Sequence, residues 1–323
     1  MANQPGFHVG ISFHTFVQEF ISFIYSFEDM MEMASVLGGG VEIVGPSNHR
    51  GFPEVTNEFE RAFKSSVDRY GLTPTSYGSY ADPFMLPGRN LTPDEIYDYT
   101  VIQLKGAAKL GFPVVRLQYF AAVAGERLAP VVEKLKIKMG YELHTPLMIE
   151  SPTVLGLREQ IRRISSEALG LIPDCGIFAR SISKYHLDRG RKMGVPEPVI
   201  RKAQELWRQR LTFVEAAKIL SAEGVDEKKL SWVDQIWGSF GYSEPSSLVD
   251  IKDSIIHFHG KFFTIENGDE PDLRYEEVVK TLLEIGYSGW MSTEYEGGPT
   301  NTFEIAKAHQ AMINRYLQKY AGK

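Results

Sequence analysis

The chain has 323 residues, 43% of them hydrophobic and 24% charged, with a formal net charge of −6; this suits a globular protein of one large domain or two smaller ones. No basic stripe favours nucleic acid, no Lys or Arg run seeks a membrane surface, and no window approaches the roughly 18 consecutive apolar residues of a spanning helix. The start, Met-Ala-Asn-Gln-Pro-Gly, has no basic stretch followed by an apolar run, and Cys175 is the single cysteine, so no secretory leader, no intrachain disulfide and a reducing, cytoplasmic setting are expected.

Along the chain, strand-like runs alternate with helix-like ones. Strands are predicted at 8–13, 40–44, 73–77, 114–118, 139–144, 169–172, 255–259 and 289–293. Several, such as Val41-Glu42-Ile43-Val44, are short and apolar, as strands covered on both faces should be. Between the third and fourth, Thr92-Pro93-Asp94-Glu95 combines an N-cap threonine, a first-turn proline and a capping-box glutamate, and the helix it opens should stop at Gly111, with Pro113 beyond. Apolar residues at helical spacing run over 275–285 and end at Gly286, and 302–320 reads as a last amphipathic helix. Eight strands with helices between and after them predict a single-domain (β/α)8 TIM barrel over residues 1–323, in preference to a doubly wound open sheet.

One interval breaks the rhythm, because 85 residues separate Asp174 from His259, far more than a crossover needs. The excess, 181–245, should be a helical insertion; a second capping box, Thr212 with Glu215, lies in it, and its stretch 227–237 carries two of the four tryptophans, Trp232 and Trp237. It leaves the catalytic end of the sixth strand, so it is either a lid or a docking surface, or else a decoration on the barrel's flank.

Residues two apart on a strand share a face. Glu142 and His144, His257 and His259, and Glu294 and Glu296 therefore point the same way in pairs, all near strand C-termini, where barrel active sites are built. Glu142, Asp174, His259 and Glu294, one from each of the last four strands, form a candidate metal set. Carboxylates with one imidazole and no thiolate suit Mn²⁺, Mg²⁺ or Co²⁺, with Zn²⁺ as a further option, and the ion would stabilise a developing enolate. His144 is the candidate general base, since imidazole titrates near neutral pH; a second ligand or a hydrogen-bond donor is its other reading. Lys261, Glu296, Arg116, Gln118 and His49 are candidate substrate contacts, as is His14, whereas His257 is expected to pack behind the site. Phe13, Tyr77, Tyr80, Tyr119 and Phe120 lie near the mouth as stacking or packing groups. Cys175, next to Asp174, is expected to be a small buried apolar residue on the opposite face of the sixth strand.

Gly39-Gly40-Val41-Glu42, Gly111-Phe-Pro-Val-Val-Arg116, Glu142-Leu-His144, Asp174-Cys-Gly176, His257-Phe-His259 and Gly286-Tyr-Ser-Gly-Trp290 leading to Glu294 together resemble the sugar phosphate isomerase/epimerase, or xylose-isomerase-like, superfamily. The resemblance covers nearly the whole chain outside the insertion. It implies a barrel whose Glu142, Asp174, His259 and Glu294 bind a divalent metal, manganese in first place. His144, His259-Gly-Lys-Phe-Phe263, the Trp290–Gly297 run and the insertion depart from the common pattern and are similar to the alpha subunit of C-glycoside deglycosidases. That similarity implies a small β-rich partner subunit and 3-oxo-C-glycoside substrates cleaved by a carbon–carbon lyase reaction. A metal-dependent sugar isomerase or epimerase, or an inositol-type dehydratase, is the alternative enzyme; a metal-free scaffold is the non-enzymatic one.

Overall fold

The computed structural model describes residues 6–320. Among them, eight parallel strands form one sheet: β1 (His8–Ser12), β2 (Gly40–Val44), β3 (Thr73–Gly78), β4 (Val114–Leu117), β5 (Lys138–Leu143), β6 (Leu169–Pro173), β7 (Phe258–Phe262) and β8 (Trp290–Tyr295). The spatial order is β6-β5-β4-β3-β2-β1-β8-β7. Single backbone bridges from Leu171 to Ile255 and from Asp174 to His259 bring β6 against β7 and all but close the ring. The fold is the (β/α)8 barrel.

Local chemistry explains why the elements start and stop where they do. The helix Pro93–Leu110 begins with the Thr92/Glu95 capping box and ends at Gly111, whose φ of 89° is a left-handed conformation that a side chain would strain. The closing helices are Tyr275–Glu284 and Thr302–Tyr320. Strands β2, β6 and β7 are buried at every position, because helices cover the outside and side chains fill the inside. The last two strands run further toward the C-terminal end than predicted: β7 reaches Phe262 and β8 reaches Tyr295. His257 thus precedes β7, while Lys261 lies within it. Cys175 is buried as expected, but in the turn Cys175–Ile177 after β6 and not on a strand.

Between β6 and β7 the chain forms the helices Lys184–Lys192, Glu197–Arg208, Phe213–Ala222 and Glu227–Ser239. Their own core centres on Trp232, whose indole N–H donates to the His186 carbonyl at 2.9 Å. The segment then returns to the barrel mouth. Gly241 N–H donates to the Gly176 carbonyl and Ile149 N–H to Ser243 Oγ, tying it to the loops after β5 and β6. No helix among the described residues is long and apolar enough to cross a membrane.

Candidate active site

Glu142 near the end of β5, Asp174 just past β6, His259 in β7 and Glu294 in β8 each offer one ligand atom, and these atoms lie within 4.8 Å of one another. The Asp174–His259 bridge sets two of them side by side. Asp174 Oδ1 accepts the Gly176 N–H at 2.6 Å, whereas its Oδ2 is buried with no hydrogen-bond partner. Burial, resisted by Lys261 and reinforced by the charges of Glu294 and Glu142, pushes the Asp174 carboxyl well above its usual range. Burial also opposes charge on Glu142, but Arg116 at 3.1 Å and His259 outweigh it and hold that carboxyl low.

His259 is oriented from behind by a residue outside the candidate set. Its Nε2 lies 3.1 Å from Glu42 Oε2, and Ser12 Oγ–H donates to Glu42 Oε1 at 3.0 Å. His257 Nε2 sits 3.2 Å from the same Glu42 oxygen and 2.9 Å from Ser292 Oγ. Burial alone would neutralise Glu42, yet His259 and His257 hold it in the charged form. The Glu42 carboxylate fixes Nε2 as the donor and leaves Nδ1 facing the cluster, 2.8 Å from Glu142 Oε1 and 3.2 Å from Glu294 Oε2. Nδ1 makes no aligned hydrogen bond to either. In sequence Glu42 is a lone carboxylate in an apolar strand, a signal used above only as a mark of resemblance.

A chamber of about 330 Å³ stands over this cluster, lined in part by Tyr80, Arg116, Gln118, Tyr119, Phe120 and His144. His144 Nδ1 lies 2.8 Å from the Thr145 carbonyl, an acceptor only, so this nitrogen carries the proton. Nε2 then has the lone pair, and it accepts from the Lys261 ammonium at 2.7 Å. Burial and the adjacent Lys261 charge lower the His144 pKa, which keeps the ring neutral. Lys261 also pairs with Glu296 at 2.5 Å. Burial opposes charge on Glu296, but Lys261 and His14 outweigh it and hold its carboxyl at about 2. Gly78 is needed here: a Cβ on it would lie 2.8 Å from the Arg116 guanidinium.

Of the candidate substrate contacts, Arg116, Gln118, Glu296 and His14 line the chamber, and Gln118 Oε1 is buried without a partner. Lys261 does not line it; 1% exposed, it lies behind His144 and Glu296 and acts on the chamber through them. The structure also does not bring His49 there. Its ring stacks on Phe59 with centroids 4.5 Å apart and is buried among aromatics, because the turn after β2 carries it outward. His257 lies behind the cluster. Phe13 and Tyr77 are core residues, while Tyr80, Tyr119 and Phe120 face the chamber.

The residues present fit a divalent cation: three carboxylates and one imidazole converge, with an orphaned carboxylate oxygen among them and no thiolate. No protein-family model matches the chain. A C-glycoside deglycosidase alpha subunit of Arthrobacter globiformis is 31% identical to it, over 97% of this chain and 93% of the relative. The chain belongs to the C-glycoside deglycosidase alpha-subunit family. The 3'-dehydrocarminate deglycosidase alpha subunit of a Microbacterium species is 30% identical, over 98% of this chain and 95% of the relative. In fold the chain is similar to a sugar phosphate isomerase/epimerase from Parabacteroides distasonis, with a TM-score of 0.54 at 13% identity, covering 100% of this chain and 96% of that one. The family is one of enzymes, and the name alpha subunit implies a partner subunit in those relatives.

Proposed function

We propose that the chain is the metal-dependent catalytic subunit of a C-glycoside deglycosidase, a carbon–carbon lyase acting on 3-oxo-C-glycosides alongside a small β-rich partner subunit. The observation that carries this reading is a neutral imidazole, His144, in one chamber with a buried cluster of three carboxylates and a histidine. A carbon–carbon glycosidic bond has no leaving oxygen to protonate, so hydrolysis by two carboxylates is not open to it. A ketone at C3 makes the C2 proton acidic instead. His144 Nε2 takes that proton, and the C2–H electrons form the C1–C2 double bond. The C1–aglycone bond breaks, its electron pair goes to the aglycone carbon, and that carbon takes up a proton.

Lys261 already reaches both His144 and Glu296, so it can give up Nε2 to a substrate C–H and keep its partner carboxylate. A divalent cation held by Glu142, Asp174, His259 and Glu294, with manganese first and magnesium, cobalt or zinc as alternatives, would supply positive charge against the developing negative charge on the C3 oxygen. Arg116, Gln118 and Glu296 stand where sugar hydroxyls would lie. The 3'-dehydro substrate in the Microbacterium relative's name favours an oxidised sugar, which a separate oxidoreductase must supply. Incubating the manganese-loaded chain, with and without a small partner subunit, with a 3-oxo-C-glycoside should release the aglycone. Interconversion of free ketoses with no release under either condition would favour the isomerase/epimerase reading.

A further inference from the structure

On the β4 side of the chamber, two buried polar atoms have no hydrogen-bond partner among the described residues. Arg116, within β4, is 3% exposed. One arm of its guanidinium donates to Glu142 Oε2 at 3.1 Å, but its Nε–H is buried and makes no hydrogen bond. Gln118 lies two residues on, in extended backbone just past the strand, and so faces the same way. Its Oε1 is likewise buried and makes no hydrogen bond. Both side chains line the chamber. The guanidinium is held in place: Gly78 leaves the space it fills, and the Tyr80 ring centroid lies 5.0 Å from its Cζ. A donor and an acceptor left buried and unmade are costly. A single hydroxyl, which accepts and donates at once, satisfies both.

We propose that Arg116 Nε–H and Gln118 Oε1 together bind one hydroxyl of the sugar, the one at C4, beside the ketone; the assignment rests on the function proposed above. In that reading the C3 oxygen lies at the four-residue cluster and the C2 proton at His144 Nε2. That nitrogen faces β7, 2.7 Å from Lys261 Nζ. Arg116 reaches Glu142 from the other flank of β5, on β4. With C3 over the cluster and C2 turned toward β7, C4 is left on the β4 side. There its hydroxyl accepts from Arg116 and donates to Gln118. This hydroxyl takes no part in bond making or breaking, so the pair serves selection. It sets the ring so that the C2–H meets His144, and it rejects a sugar that lacks the 4-hydroxyl, because the two buried groups then stay unpaired.

The test is calorimetric titration of the manganese-loaded His144→Ala chain, which should bind without turnover, with a 3-oxo-C-glycoside that carries the 4-hydroxyl and with its 4-deoxy counterpart. The hydroxyl compound should bind about 10–100-fold more tightly. Adding Gln118→Leu, similar in size but apolar, should bring the two dissociation constants together by weakening the hydroxyl compound. Gln118→Glu, which keeps an acceptor oxygen, should retain the preference. Arg116 is left unaltered because it also holds Glu142. Equal binding of the two compounds, a preference that survives Gln118→Leu, or binding of neither compound overturns the assignment. A Gln118-dependent preference in a chain that, with His144 intact, releases no aglycone either alone or with the partner subunit overturns the proposed reaction and leaves the assignment standing.

Discussion

Two histidines at this site offer different ring atoms because their nitrogens have different partners. In His144 the Thr145 carbonyl takes the Nδ1 proton and leaves Nε2 as the basic atom. In His259 the Glu42 carboxylate takes the Nε2 side and leaves Nδ1 facing the carboxylates of Glu142 and Glu294. His144→Ala should therefore lower turnover by about 10²–10⁴ with manganese content unchanged by elemental analysis; loss of the metal would make His144 a ligand instead. Glu42→Gln keeps an acceptor but loses the charge that orients His259, so manganese affinity should fall about 10–100-fold in competition with a fluorescent chelator. An unaltered affinity would show that Glu42 serves the fold alone.

At the level of elements, the site depends on where strands end and on how the insertion is held. Neighbouring strands bring the candidate ligand atoms within 4.8 Å of one another, while the inserted helices pack on one another. Gly190 lies against Trp232, and a Cβ added there would sit 2.5 Å from the indole ring. Gly190→Ala should cost about 1–3 kcal/mol through overpacking, read as a lower urea midpoint; if the insertion melts separately from the barrel, a second transition will appear. The helix periodicity and capping boxes of these elements were legible in the chain, because they depend on residues three or four apart. The extra length of β7 and β8 was not, since Lys261 and Glu294 pair across strands that are distant in sequence.

For the molecule as a whole, a further joint ties the start of the insertion to the barrel. Ser181 Oγ–H donates to Asp272 Oδ1 at 2.6 Å, and Glu270 Oε2 accepts the N–H groups of Asp272 and Leu273. Burial, only partly offset by these N–H donors, raises the Glu270 carboxyl from 4.5 to about 7. The folded state thus keeps a proton that the unfolded state releases at lower pH. Stability from this group is complete below about pH 4.5 and is lost as pH rises toward 7. Melting temperatures measured across that range should show the decline, and Glu270→Gln should flatten it; an unchanged slope would place the proton elsewhere. Manganese, binding the folded chain alone, should raise the melting temperature, by the equivalent of about 2.7 kcal/mol at a hundredfold excess over its dissociation constant, and chelation should reverse the rise.

The sequence by itself determined the barrel, through eight apolar runs alternating with helical ones, and it singled out Glu142, Asp174, His259 and Glu294 on four consecutive strands, because strand periodicity is a local property. Only the tertiary structure decided depth and partnership. It showed Glu42 crossing the barrel to His259, Lys261 withdrawn behind His144, and His49 carried out into an aromatic cluster. Those outcomes depend on which side chains meet across the closed ring, between residues such as Glu42 and His259 that lie 217 positions apart, and no spacing along the chain encodes such a meeting.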